Sequence, residues 1–327
     1  MRSNVLSLFP AVKKLPALLF SLSTGAALCF GSVAAQAQTP SYAAFQATLG
    51  AAGTLSPDGG AISFPLFRRD LSQLTISLDG STSSPAMPES VANGYIGLQQ
   101  VGSSAGVYFV TGAFPALASE LPLLESALQA SKLPVTAIVN ATAGLSQPVV
   151  TVHVEATMTE SDAVLAANLA GVLLTIHSPQ ANVLVLPFPS PFDPNSIPAK
   201  FVDLIGDGQF TLLDGNTFLF NLPRTDAVPI TIGNGIPAIP SLGVGQSIFI
   251  SGNGYSVMNA ELALRANEVA KVSRILIDAG FTLSAQSDYF VDDSKRLTFL
   301  HAIVMAGDAA TFERQGKALG KALNLLK

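Results

Sequence analysis

This chain repeats itself, and the repeat limits its fold more than any other feature. Ser119-Glu120 opens the segment SELPLLESALQASKL, and Asn267-Glu268 opens a matching NEVAKVSRILIDAGF, 148 residues later. The same offset runs without a gap through VTAIVNATAG and LSAQSDYFVD, and it superposes His153 in VVTVHV on His301 in LTFLHA. Residues 161–171 and 309–319 follow as a further matching pair. Upstream the offset is 156: Phe45 to Gly50 answers Phe201 to Gly206, Asp58-Gly59 answers Asp214-Gly215, and Arg68 and Asp70 answer Arg224 and Asp226. A shorter connection in the second copy accounts for the change of offset. A duplicated sequence must build one set of elements twice.

Each copy reads as strands followed by helices and strands. Asp-Gly marks a hairpin turn, and AISFPLF and NTFLFNL alternate as half-buried strands do. LTISLDG and AVPITIGNG are expected to form the next strands. Stretches rich in Pro, Gly and Ser follow at 81–94 and 234–246, and then the strands GVYFVTG and YSVMNAE. Leu121, Leu124 and Leu128 share one face of a helix, as do Val269, Val272 and Leu276 in the second copy. Two strands joined by a turn and a second helix complete the unit. The fold class expected is α+β: two tandem repeats, each an antiparallel or mixed sheet with a β-α-β-β-α, ferredoxin-like portion. The boundaries expected are 1–37 for a leader, 38–190 for the first repeat and 191–327 for the second. A proline-dense link at 186–198 separates the copies.

The leader has the pattern of a secretory signal peptide. Arg2, Lys13 and Lys14 precede an apolar run from Leu15 to about Phe30, and Ala35-Gln36-Ala37 supplies the small residues of a cleavage site. Export places the mature chain in the periplasm or outside the cell. Cys29, the single cysteine, leaves with the leader, so the mature chain has no thiol for a disulfide, a nucleophile or a metal. The leader also removes three of the 17 basic residues, leaving 14 against 22 acidic ones, a formal charge of −8. That balance opposes nucleic-acid binding. No later segment is apolar enough to span a membrane as a helix.

Gly106 to about Val172 resembles the LppY/LpqO family of exported bacterial proteins, whose function is uncharacterised. The residues that carry the resemblance are the acidic helix start, Val135-Thr136-Ala137-Ile138-Val139-Asn140-Ala141, the following His153, and Arg69-Asp70-Leu71 upstream. The family's V-T-A-L-H-N-H strand would place histidines at Val139 and Ala141, and in the second copy at Ser287 and Tyr289. If the family uses those histidines for chemistry, this chain lacks them.

The candidate site residues are therefore few. His153 and His301 occupy equivalent repeat positions. Glu155 lies on the same strand face as His153, and Asn140 and Asp288 lie on the neighbouring strands. These histidines could be structural, contact a ligand, or act as acid-base groups. Arg68 and Arg224 end strands, where a guanidinium fork could hold an anion or could pair with Asp70 and Asp226. No nucleophile elbow, dinucleotide fingerprint, P-loop or EF-hand is present. No catalytic set, cofactor or metal site is assigned. The function expected is a non-catalytic binding or envelope-associated protein, with an envelope component or a second copy as partner. The alternative is a metal-dependent or histidine-based enzyme working near the paired histidines.

Overall fold

A computed structural model describes residues 41–326, except 72, 79–91, 103–105, 178–200, 205–210, 215–216, 227–228, 234, 253–255 and 292. The leader and the proline-dense link lie outside the described residues. Gln38–Lys327 form one compact unit.

The first half begins with helix α1 (Ala43–Leu49) and builds a six-stranded sheet from β1 (Thr54–Leu55), β2 (Ala61–Phe67), β3 (Asn93–Gln100), β4 (Val107–Leu117), β5 (Val135–Val139) and β6 (Val149–Thr159). Its order is β1-β2-β3-β4-β6-β5, with every neighbouring pair antiparallel. Helices α2 (Leu121–Ala130) and α3 (Asp162–Thr175) follow β4 and β6. The second half repeats this plan. Strands β7 (Thr211–Asp214) and β8 (Thr217–Leu222) come first, then a two-residue ribbon of β9 (Thr231–Ile232) and β10 (Ile236–Pro237). Strands β11 (Gln246–Gly252), β12 (Ser256–Arg265), β13 (Thr282–Ser287) and β14 (Leu297–Ala306) complete a sheet of order β7-β8-β11-β12-β14-β13. Helices α4 (Ala266–Asp278) and α5 (Ala309–Leu323) match α2 and α3.

The likeness extends to irregular details. The ladder between β5 and β6 slips between Val135 and Ala137, and that between β13 and β14 slips between Leu283 and Ala285, the same place in each copy. Ser146 N donates to Thr75 O at 2.9 Å, and Ser294 N donates to Thr231 O at 2.8 Å. In each pair the serine Oγ accepts from the threonine N at 3.0 Å.

Two expectations need correction. Among the described residues, LTISLDG contributes no strand but an isolated bridge from Ile76 to Leu145, and AVPITIGNG contributes β9 and its bridge from Ile232 to Asp293. In their place β3 and β11, which were not expected, occupy the middle of each sheet. The physical reason is that β2 needs a hydrogen-bonded neighbour on its inner side, and NGYIGLQQ provides seven consecutive partners from Ala61 to Phe67.

Alternation decides which face each strand buries. Val152 and Val154 join Leu124 and Leu128 of α2 and Leu165 and Leu169 of α3 in one core. In the second half Leu300 and Ala302 meet Val272 and Leu276 of α4 and Leu319 of α5. The opposite, helix-free faces pack on each other. Ala61 and Phe109 meet Ile232, Leu297 and Phe299, while Ile76 and Val149 meet Val257 and Ile303. The result is four layers, helices outside and two sheets inside. Each enclosed Phe, Leu or Ile contributes about 1.5–3 kcal/mol through burial, so this junction is part of the folding core.

Candidate functional site

The two arginines come first because their surroundings settle their geometry. Arg68 is fully buried at the end of β2. Its Nε and Nη2 donate to the two Asp70 carboxylate oxygens at 2.9 and 2.7 Å. Nη1 donates to Pro115 O at 3.0 Å, and the two terminal nitrogens reach Glu120 at 2.7 and 2.9 Å. Arg224 repeats the arrangement with Asp226, Ala263 O and Glu268, at 2.6 to 3.0 Å. A guanidinium has five N–H donors, and all five are engaged in both copies. Each glutamate also accepts a backbone N–H at its helix entry, from Leu117 and Arg265 respectively. The forks thus fasten a strand end to a helix start and retain no donor for an anion. Paired carboxylates raise both guanidinium pKa values further, against the opposing effect of burial.

The histidines lie on the helix-free faces, between the sheets. His153 is 1 % exposed and neither ring nitrogen has a hydrogen-bond partner. Its ring stacks on Tyr289 of the second half, with centroids 3.7 Å apart and planes 12° from parallel. Tyr289 stacks in turn on Phe299 at 3.9 Å. Burial pushes the His153 pKa well below the usual imidazole value, and the nearby His301 pushes it the same way.

His301 has different company. It lies directly across from Glu261 in the β12–β14 ladder, where His153 faces Ala113 in the β4–β6 ladder. His301 Nδ1 is 3.5 Å from Glu261 Oε2. Tyr289 donates to the other Glu261 oxygen at 2.6 Å. Burial lowers the His301 pKa, and Glu261 opposes that shift. Its Nε2 is buried without a partner. Burial and Glu261 both raise the Tyr289 and Tyr95 hydroxyl pKa values. At neutral pH the pair of histidines is therefore uncharged and the tyrosines are protonated.

A cleft opens beside this group, leaving about 90 Å³ for the centres of water-sized groups. That is room for several waters or a small molecule. Tyr95, Asn259, Glu261 and His301 contribute polar groups to its wall, and Phe67 and Phe249 contribute aromatic ones. The turn at Pro240–Leu242 closes one side. Thr111 Oγ1 donates to Leu242 O at 3.1 Å, and Gly243, at φ +81°, lets the Tyr95 ring approach where a Cβ would collide with its hydroxyl.

The structure brings together only some of the expected residues. His153 and His301 meet across the repeats. Glu155 is buried and its Oε2 accepts from Val291 N at 2.8 Å, which ties β6 to the second half. Asn140 and Asp288 are exposed and do not line the cleft. Among the described residues, no three His, Cys, Asp or Glu side chains are grouped to hold a metal ion. No described helix is long and apolar enough to cross a membrane. Glu261, Tyr289, Tyr95 and Asn259 were not singled out from the sequence. A carboxylate isolated in the apolar strand VMNAELAL was the available signal.

The fold and cleft define a duplicated α+β protein with a small polar site at the repeat junction. Residues 201–322 match the model of a family described as "Domain of Unknown Function (DUF1259)". No curated protein matches the chain. Among solved structures, it is similar to one titled "Crystal structure of a trimeric bacterial microcompartment shell protein PduB", at 14 % identity over 84 % of this chain and 91 % of that one. The TM-score is 0.20, too low to carry an argument about assembly.

Proposed function

We propose that this is an exported, non-catalytic binding protein of the periplasm or cell exterior, which holds a small molecule in the cleft between its repeats. One observation carries the reading: where the two helix-free sheet faces meet, a cavity walled by Tyr95, Asn259 and Glu261 lies beside a buried, unpartnered His301 Nε2. Such a concave site with a few fixed polar groups is the usual form of a small-ligand site. The leader pattern and the LppY/LpqO resemblance support an exported bacterial setting, and the uncharacterised-family match over the second half is compatible with it.

The histidine-based enzyme has one observation in its favour, the placement of Glu261 beside His301 Nδ1. A carboxylate there orients an imidazole as a base would require. Against it, His153, Glu155 and Asn140 do not converge in an open cleft.

Native mass spectrometry of the protein purified from its own host's envelope tests the proposal, with metal analysis on the same sample. A retained small molecule released by cleft substitutions is expected. An apo mass, with no adduct under gentle conditions, would remove the support for a binding role. Turnover of the retained molecule, lost in His301→Gln while the molecule still binds, would move the reading to an enzyme.

A further inference from the structure

We infer that the cleft is selective for a small organic cation, an alkylammonium or similar monocation, with Glu261 as its counterion. This rests on the binding role proposed above and names the ligand class of that same site.

Three observations on the cleft converge. First, Glu261 is the only formally charged side chain among the described residues that line it, and no lysine or arginine is present there. Arg68 and Arg224 have engaged every donor with carboxylates and carbonyls elsewhere. The field in the cavity is therefore negative, and it acts through a low-dielectric wall. Second, Glu261 is held in place but not neutralised. Tyr289 fixes one oxygen, the other faces His301 Nδ1 at 3.5 Å, and the side chain keeps about a quarter of its surface exposed (26 %). The histidine beside it is kept uncharged by burial, so it offers a dipole and no countercharge. Third, the wall includes the side chains of Phe67 and Phe249. Aromatic faces attract cations and also receive an apolar stem. A divalent inorganic ion is usually held by several carboxylates, and the wall supplies one.

The duplication sharpens the point. At the equivalent place in the first repeat stands Ala113, which also lines the cleft. Glu261 is thus the single charge in a wall whose other polar groups are neutral. That asymmetry suits a small ligand that carries one positive charge. Carboxylate and phosphate ligands are disfavoured by the same arrangement, since each would meet Glu261 unpaired.

Titration calorimetry on the full exported chain at neutral pH tests this with n-butylammonium, its neutral isostere n-butanol, the anion butyrate, and calcium or potassium chloride alone. Butylammonium is expected to bind at least about tenfold more tightly than butanol, and butyrate not measurably. Glu261→Gln should erase that preference. The ammonium-to-alcohol ratio is measured on the unaltered chain, so it stands even if the variant folds poorly. Butanol or butyrate binding as tightly as butylammonium would overturn the cation assignment and leave the binding role intact. So would calcium or potassium ions binding and excluding butylammonium. Failure of every probe, while a host-derived molecule is retained in native mass spectra, also overturns the cation class alone. Failure of every probe with a clean apo mass overturns both.

Discussion

His153 and His301 occupy one position of a repeated unit, yet they sit in different chemistry. His153 faces Ala113 across its ladder, has no hydrogen-bond partner and is covered by the Tyr289 ring. His301 faces Glu261 and borders the cleft. The arginine networks at the strand ends show no such divergence: both copies keep the same five donor contacts. The contrast separates what the repeat needs in order to fold from what only one copy has acquired. The duplicated frame is maintained by the arginines, and the asymmetric site lies where an alanine in one copy is a glutamate in the other.

The largest effect should come from the frame. Arg68→Met leaves Asp70 and Glu120 without their cation, Glu120 being mostly buried. Breaking a buried ion pair from one side costs about 3–5 kcal/mol, which denaturant unfolding would register. Arg224→Met should cost less, because Arg265 also reaches Asp226 at 2.5 Å and retains part of the charge balance. A larger loss for Arg224 than for Arg68 would break this account of the two networks.

The histidines give the next effect, through pH. Both folded-state pKa values are depressed below the ordinary imidazole value. The unfolded chain therefore binds more protons between the folded and unfolded pKa values, and stability must fall as pH falls through that window. Full stability is present above the unfolded value of about 6.5, and the slope below it is at most about 1.4 kcal/mol per pH unit for each histidine. Burial disfavours the charged form of both rings, but Glu261 favours protonation at His301, whereas the neighbouring His301 adds to the effect of burial at His153. His153→Phe should accordingly flatten the acid side of the stability profile more than His301→Phe. Equal flattening would show that the two sites are not distinguished as the geometry requires.

A smaller contrast lies at the helix ends. The residue after α2 that turns the chain is Lys132, at φ +56°, and its counterpart after α4 is Gly280, at φ +92°. The left-handed conformation costs a residue with a Cβ about 1 kcal/mol or more. Lys132→Gly should thus raise stability by about 1 kcal/mol, and Gly280→Ala should lower it by a similar amount. A thermal melt of each variant decides it; a destabilised Lys132→Gly would mean that the lysine contact with Glu160, at 3.3 Å, matters more than the backbone strain.

Much of the frame was legible because helix faces and repeat offsets are local patterns. Leu124 and Leu128 are buried as their spacing requires, and so are Val272 and Leu276. Strand β3 was hidden because Gly94 and Gly97 read as loop residues of low strand propensity. They are there for distant reasons: a Cβ at Gly94 would strike Ala113 O, and one at Gly97 would lie 2.5 Å from Ser241 O. The histidine pair was visible through the repeat. Glu261 was not, since comparison with Ala113 shows no shared feature, and Tyr289 reaches His153 only once the two halves have docked. A site built between repeats leaves little trace in either repeat alone.

The smallest effect expected is at Asn140 and Asp288, and it tests where the site ends. Both were reasonable candidates from the sequence, on strands beside the histidines. In the structure β5 ends at Val139 and β13 at Ser287, so each residue falls just past its strand and is exposed. Neither side chain belongs to the cleft wall. Asn140→Ala and Asp288→Ala should each change stability by no more than about 0.5 kcal/mol, as surface substitutions do. They should also leave retention of the cleft molecule unchanged, whereas substitution of Glu261 reduces it. Loss of that molecule in Asn140→Ala with stability intact would extend the site to the β5 end, where Ser284 Oγ already donates to Ala141 O at 2.5 Å across the repeats. It would then be the junction between the repeats, more than the Glu261 side alone, that selects the ligand.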